Sequence, residues 1–68
     1  MNIAETIKGL RNSLGLSKKD FAKKIGVSTV TASTYESDNA KWQPSLKRLE
    51  EIAKKCNRKL LIVFVQDE

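Results

Sequence analysis

Between Ser17 and Glu36 the chain places two helix starts and one helix stop within twenty residues, which leaves room for little besides two short helices meeting at a tight corner. Ser17 offers a hydroxyl that accepts a backbone N–H at a helix start, and Asp20 stands at the capping-box position three residues on. Phe21, Ala22 and Ile25 then share one helical face. Gly26 tolerates the left-handed backbone that ends a helix, and Val27 fills the corner. Ser28 caps a second helix whose inward positions are Ala32 and Tyr35. Two capped helices joined by a short turn containing Gly make either a helix-turn-helix or an ordinary helical hairpin.

The flanking segments supply the rest of a helical bundle. Ile3, Ile7, Leu10 and Leu14 recur at helical spacing, with Asn2 as a cap, Gly15 as a stop, and Lys8 and Arg11 off the apolar stripe. Gly9 inside that helix costs about 1 kcal/mol relative to Ala, and the expectation is that it permits a close helix–helix approach. Residues 37–45 are rich in turn formers and read as a loop. In it Trp42 either covers the core beside Pro44 or meets a sugar-phosphate edge or a partner protein. A last helix starts at Pro44-Ser45. Leu46, Leu49, Ile52, Ala53 and Cys56 mark its buried face, and Glu50 with Lys54 and Glu51 with Lys55 have the favourable i,i+4 order outside.

After Asn57, a plausible helix stop, the pattern changes. Leu60, Leu61, Ile62, Val63, Phe64 and Val65 form an unbroken apolar run, too short for a membrane span and rich in strand formers. It reads as a strand with Leu60, Ile62 and Phe64 on one face and Leu61, Val63 and Val65 on the other. An unpaired apolar strand invites aggregation, so it needs a partner. The economical partner is the same strand of a second copy, antiparallel across a two-fold axis, with one face over its own helices and the other over its partner's. Pairing with residues 1–4, or a C-terminal helix, are the alternatives. The chain thus divides into a helical domain at 1–58 and a dimerisation strand with an acidic end at 59–68.

Composition narrows the function. With 68 residues and one cysteine the chain is a single small domain without an internal disulfide. Lacking histidine, it has almost no ligand set for zinc, and with Cys56 on an apolar helix face it offers no nucleophile–base pair. An enzyme, a metal site and a cofactor are therefore not expected. The first residues lack a basic stretch followed by an apolar run, so a soluble, cytoplasmic chain with no membrane partner is expected. Net charge is +5, and all thirteen Lys and Arg precede Leu60. Such a balance suits an anionic polymer or, more blandly, a solvated surface. Lys18, Lys19, Lys23 and Lys24 crowd one short helix, an arrangement that serves phosphate contact better than helix stability. Lys18 and Lys19 stand where unpaired N–H groups and the helix dipole also attract anions. Lys41 in the loop is placed for another backbone phosphate.

The pattern Ile7-Lys-x-Leu-Arg11, Gly15-Leu-Ser-x-x-x-x-Ala22-x-x-x-Gly26-Val-Ser28, Thr34-Tyr-Glu-Ser37 and Pro44-Ser-Leu-x-x-Leu-x-x-Ile-Ala53 resembles the lambda-repressor-like, or Cro/cI-type, helix-turn-helix family. The resemblance implies a mainly α fold, a bundle of four to five helices, here followed by the C-terminal β-strand pairing across a homodimer. In that family the first helix of the pair lies over the DNA backbone and the second enters the major groove. Carried over by position, Ser28, Thr29, Val30, Ser33 and Thr34 face the bases, and Arg11 pairs with Glu36 as a structural tie, with Gly26 at the turn. Lys18 stands where Gln is frequent, Ala32 where Ile or Val is usual, and the loop before Pro44 is longer than common. The terminal strand is similar to that of the HipB-type antitoxins.

These readings converge on a sequence-specific regulator, a repressor, binding double-stranded DNA as a homodimer on a palindromic operator. The alternative is an antitoxin that neutralises a toxin protein and autoregulates its own operon. The reading face carries no Arg, Lys, Asn or Gln from Ser28 to Ser37, so the bidentate contacts that discriminate guanine or adenine are missing. Modest discrimination per half-site follows, with thymine contacts and DNA shape favoured.

Overall fold

The computed structural model describes residues 2–37, 41 and 43–66, and the regular structure within them is four α-helices. Helix α1 spans Ile3–Ser13, α2 Lys18–Ile25, α3 Thr29–Tyr35 and α4 Leu46–Lys55. Each start is closed by the side chain of the residue before it. Asn2 accepts the N–H of Glu5, Ser17 that of Asp20, Ser28 that of Thr31 and Ser45 that of Arg48, each at 3.1 Å. Each cap satisfies one of the four donors a helix start leaves open, worth about 1 kcal/mol apiece.

Three of the helices end in the same way. Gly15, Gly26 and Asn57 adopt left-handed backbone at φ 68°, 77° and 54°. In each case the next N–H reaches back across the last turn: Leu16 to the Arg11 carbonyl, Val27 to Ala22 and Arg58 to Ala53. These bonds use carbonyls that would otherwise be orphaned and turn the chain sharply. Asn57 is the one non-glycine in this conformation among the described residues, and Asn tolerates it better than most side chains.

The core is one cluster of Ile7, Phe21, Ala22, Ile25, Ala32, Leu49, Ile52 and Cys56, and Phe21 is completely buried. Helix α2 packs on α3 and α4, and α1 on α3, so the helix pair sits at the centre of the fold. Ala32 is fully enclosed, and Tyr35, Val27 and Leu16 close the cluster's edge.

Four expectations are corrected. Leu46 faces solvent at 55% exposure, because the first turn of α4 overhangs the core. Gly9 is exposed, and a Cβ there would meet nothing within 4 Å, so no helix approaches it. Glu51 bonds Arg48 at 3.1 Å rather than Lys55, because Lys55 donates to the Ile25 carbonyl at the end of α2 instead. Finally, residues 58–66 form neither helix nor strand, so a C-terminal helix is excluded and no strand pairing occurs among the described residues. Residues 3 and 4 belong to α1, which removes them as a strand partner. Leu60 packs on the edge of the core, whereas Leu61 to Val65 project, with Phe64 completely exposed. The role of Trp42 lies outside the described residues.

Candidate nucleic-acid interface

Because α2 and α3 share the buried residues Phe21, Ile25 and Ala32, the rest of each helix is turned outward. On α3 the outward face begins at its cap. Ser28, Thr29 and Val30 are exposed, Val30 by 76%, and Ser33 and Thr34 are half-buried one turn later. Thr29, Val30, Ser33 and Thr34 line one shallow concavity together with Thr31, Tyr35 and Ser37, whereas Ser28 is not part of its lining. The lining is mostly methyl and hydroxyl, with no charged side chain.

Several of these hydroxyls are already engaged. Thr34 donates to the Val30 carbonyl at 2.8 Å, and Ser37 to the Thr34 carbonyl at 2.7 Å. Ser28 holds Thr31 through both its backbone N–H and its hydroxyl. The hydroxyls of Ser28, Thr34 and Ser37 are therefore held to their own helix.

Positive charge is carried by the neighbouring helix α2 and by the connection that follows α3. Lys18 and Lys19 are the first two residues of α2 and are exposed, as is Lys23 a turn later. Lys18 and Lys19 belong to the first turn of α2, at the positive end of its dipole, an arrangement suited to an anion, whereas Lys23 belongs to its last turn. Lys41 is also exposed, on the connection between α3 and α4.

Behind the face, polar ties fix the angle between helices. The Arg11 Nε donates to the Glu36 carboxylate at 2.8 Å, with side-chain exposures of only 13% and 3%. A second nitrogen of the same guanidinium donates to the Leu16 carbonyl at 2.9 Å. One arginine thus joins the end of α1, the turn into α2 and the end of α3. The other carboxylate oxygen of Glu36 is buried without a hydrogen-bond partner, so the ion pair is only partly compensated for its loss of water. The Lys55 ammonium lies 3.2 Å from the Ile25 carbonyl, holding the turn at Gly26 to α4.

Arg48 was not among the expected site residues. Its Nε donates to the Tyr35 hydroxyl at 3.3 Å and another nitrogen to Glu51, and these contacts raise its already high pKa. The i,i+3 spacing of Arg48 and Glu51 was the sequence signal available; the link to Tyr35 is tertiary and left none. Cys56 is 2% exposed, and burial pushes its thiol up, against the opposing pull of Lys24 and Arg58. Among the described residues no group of His, Cys, Asp and Glu could hold a metal ion, and no helix is long and apolar enough to cross a membrane.

Comparison with known proteins agrees with this geometry. A helix-turn-helix family model matches residues 7–63, which include all of α2, the turn, α3 and α4. No curated protein and no solved structure matches the chain. With most of its length accounted for in this way, the chain belongs to the Cro/cI-type helix-turn-helix family.

Proposed function

We propose that this protein is a sequence-specific DNA-binding transcriptional regulator, a repressor, that acts as a homodimer on a palindromic operator. The observation that carries the reading is the exposed outer face of α3, packed on a helix whose exposed first turn carries Lys18 and Lys19, on a scaffold of the helix-turn-helix family. Lys18, Lys19 and Lys41 hold phosphates, with Lys23 a weaker contact, and Thr29, Val30, Ser33 and Thr34 meet base edges in the major groove. Residues 1–58 are the DNA-binding unit. Residues 59–68 pair with a second copy as in HipB-type antitoxins, and the exposure of Leu61, Ile62, Val63, Phe64 and Val65 supports this. Half-sites then lie about 34 Å apart, one helical turn.

A titration of duplex DNA at several salt concentrations tests this. Affinity should fall steeply with salt, and a sequence selected from a random pool should bind at least a thousandfold more tightly than random DNA, roughly the lower bound for specific regulators. A flat salt response, or no gain for any selected sequence, refutes it.

The same exposed segment gives a second reading, in which a toxin protein covers it and the chain is an antitoxin. A toxin gene beside this one and a co-purifying toxin would favour that reading; an isolated gene with no co-purifying partner would disfavour it. We propose no catalytic role, since a buried thiol with a raised pKa is a poor nucleophile.

A further inference from the structure

The segment that leaves the core at Leu60 is apolar in its middle and oppositely charged at its two ends. Arg58 and Lys59 precede Leu60, and Asp67 and Glu68 follow Gln66. Lys59 is exposed, and a shallow groove beside it is lined by Ala53, Lys54, Arg58, Leu60 and Glu50, three of its flanking charges, Lys59 included, being positive against one negative. Between the ends, Leu61 to Val65 expose large apolar side chains.

We infer that two copies pair antiparallel about Val63, so that Lys59 meets Asp67 and Arg58 meets Glu68 of the second copy. This rests on the homodimer reading given above and fixes its register. Residues directly opposite in an antiparallel pair point to the same face, and opposite charges there attract while like charges repel. Centring on Val63 sets Leu61 against Val65 and Ile62 against Phe64, so apolar side chains meet apolar ones. Leu60 alone faces a polar residue, Gln66, and Leu60 is the member of the run already packed on its own core.

The neighbouring registers match less well. Centring on Ile62 sets Lys59 against Val65 and Asp67 against Asn57, which turns the chain at the end of α4. Centring between Ile62 and Val63 leaves one charge pair in each half instead of two. Centring on Phe64 sets Asp67 against Leu61. A one-residue slip of either strand would also exchange its two faces, so the register is consequential.

The two-fold axis of such a pair runs perpendicular to the sheet. Both helical bodies therefore lie on the Leu60, Ile62, Phe64 face, and Leu61, Val63 and Val65 of both copies form the outer face. This replaces the arrangement in which each face covers a different copy's helices.

The test uses the full chain with Cys56→Ala, which removes the native thiol, and single cysteines at 61, 62, 63 and 64 equilibrated in a glutathione buffer. Opposed Cα atoms in an antiparallel pair are about 4.5–5.5 Å apart, within disulfide reach. Val63→Cys should give the covalent dimer in greatest yield, and the other single cysteines little. Equal yields at all four would mean a parallel pair, and a maximum at Ile62→Cys or only in an Ile62→Cys and Val63→Cys mixture would mean another register; each overturns the inference. Lys59→Glu should weaken the dimer roughly tenfold, because symmetry introduces each substitution twice, and adding Asp67→Lys should restore it. Sedimentation of the parent protein separates the two failures. A dimer without preferential cross-linking at 63 refutes the register, whereas a monomer at micromolar concentration refutes the homodimer itself.

Discussion

Removing the Arg11 guanidinium should nearly unfold this protein, and removing both members of its ion pair should not. In Arg11→Met the Glu36 carboxylate keeps its 3% exposure but loses the Nε bond, leaving both oxygens buried and unpaired. Breaking a buried pair by deleting one partner costs about 3–5 kcal/mol. The lost bond to the Leu16 carbonyl adds about 1 kcal/mol. A domain of 68 residues is stable by roughly 3–10 kcal/mol at ordinary per-residue values, so the variant falls to the edge of folding. In Arg11→Met with Glu36→Leu both charges leave together, and the methylenes fill similar space. The double variant should lie within about 1–2 kcal/mol of the parent, because the unpaired oxygen of Glu36 shows how incompletely the pair is compensated. Urea unfolding followed by far-ultraviolet circular dichroism, at one protein concentration, measures all four corners of the cycle. With a urea slope near 1 kcal/mol per molar for so small a chain, the single substitution should lower the midpoint by roughly 3 M or more. A loss below about 1 kcal/mol for Arg11→Met, or a double variant that costs the sum of the two singles, would refute the reasoning.

Gly9→Ala should stabilise the protein by about 0.5–1 kcal/mol in the same unfolding assay, since its Cβ enters open space inside α1. Gly26→Ala should do the reverse by about 1 kcal/mol or more, because φ is 77° and the new Cβ would lie 2.9 Å from the Lys55 ammonium, which must move. Lys18→Ala and Lys19→Ala should each weaken DNA binding about equally for all sequences and reduce the salt slope by about 1, measured by titration at several ionic strengths. The Cys56 thiol has a folded-state pKa above its unfolded value, so the stability it supports is complete below about pH 8.5 and declines as pH rises beyond it, by at most about 1.4 kcal/mol per pH unit. Urea midpoints at neutral pH and at pH 9.5 should therefore differ more for the parent than for Cys56→Ala.

The helix boundaries were legible because they are local chemistry. Asn2, Ser17, Ser28 and Ser45 announce the starts, and Gly15, Gly26 and Asn57 the stops, through interactions spanning three to five residues. Periodicity also exposed most of the core, but it failed at Leu46, whose helical phase is right while the core does not extend beneath it. Partners separated by tens of residues were a different matter. Lys55 has a good local partner in Glu51, yet it serves the Ile25 carbonyl thirty residues away, a choice that only the packing of α4 on α2 decides. The Arg11–Glu36 tie came from family resemblance and not from spacing, whereas the added bond to Leu16 follows from where the chain turns at Gly15. The outer face of α3 was readable as composition, although the engagement of its hydroxyls was not.

That engagement gives the reading face a donor–acceptor polarity. The Thr34 hydroxyl proton points at the Val30 carbonyl, so outward it presents lone pairs only. On the proposed docking of α3 in the major groove, those lone pairs would match the amino groups of cytosine and adenine and oppose the O6 and N7 of guanine. Donating to guanine would require the hydroxyl to rotate and abandon its helix bond. Val30 and Thr34 line the same concavity, and in that docking their methyls would complement the methyl of thymine. A face without long side chains would thus still carry a preference at Thr34, written by which end of a hydroxyl the helix keeps for itself.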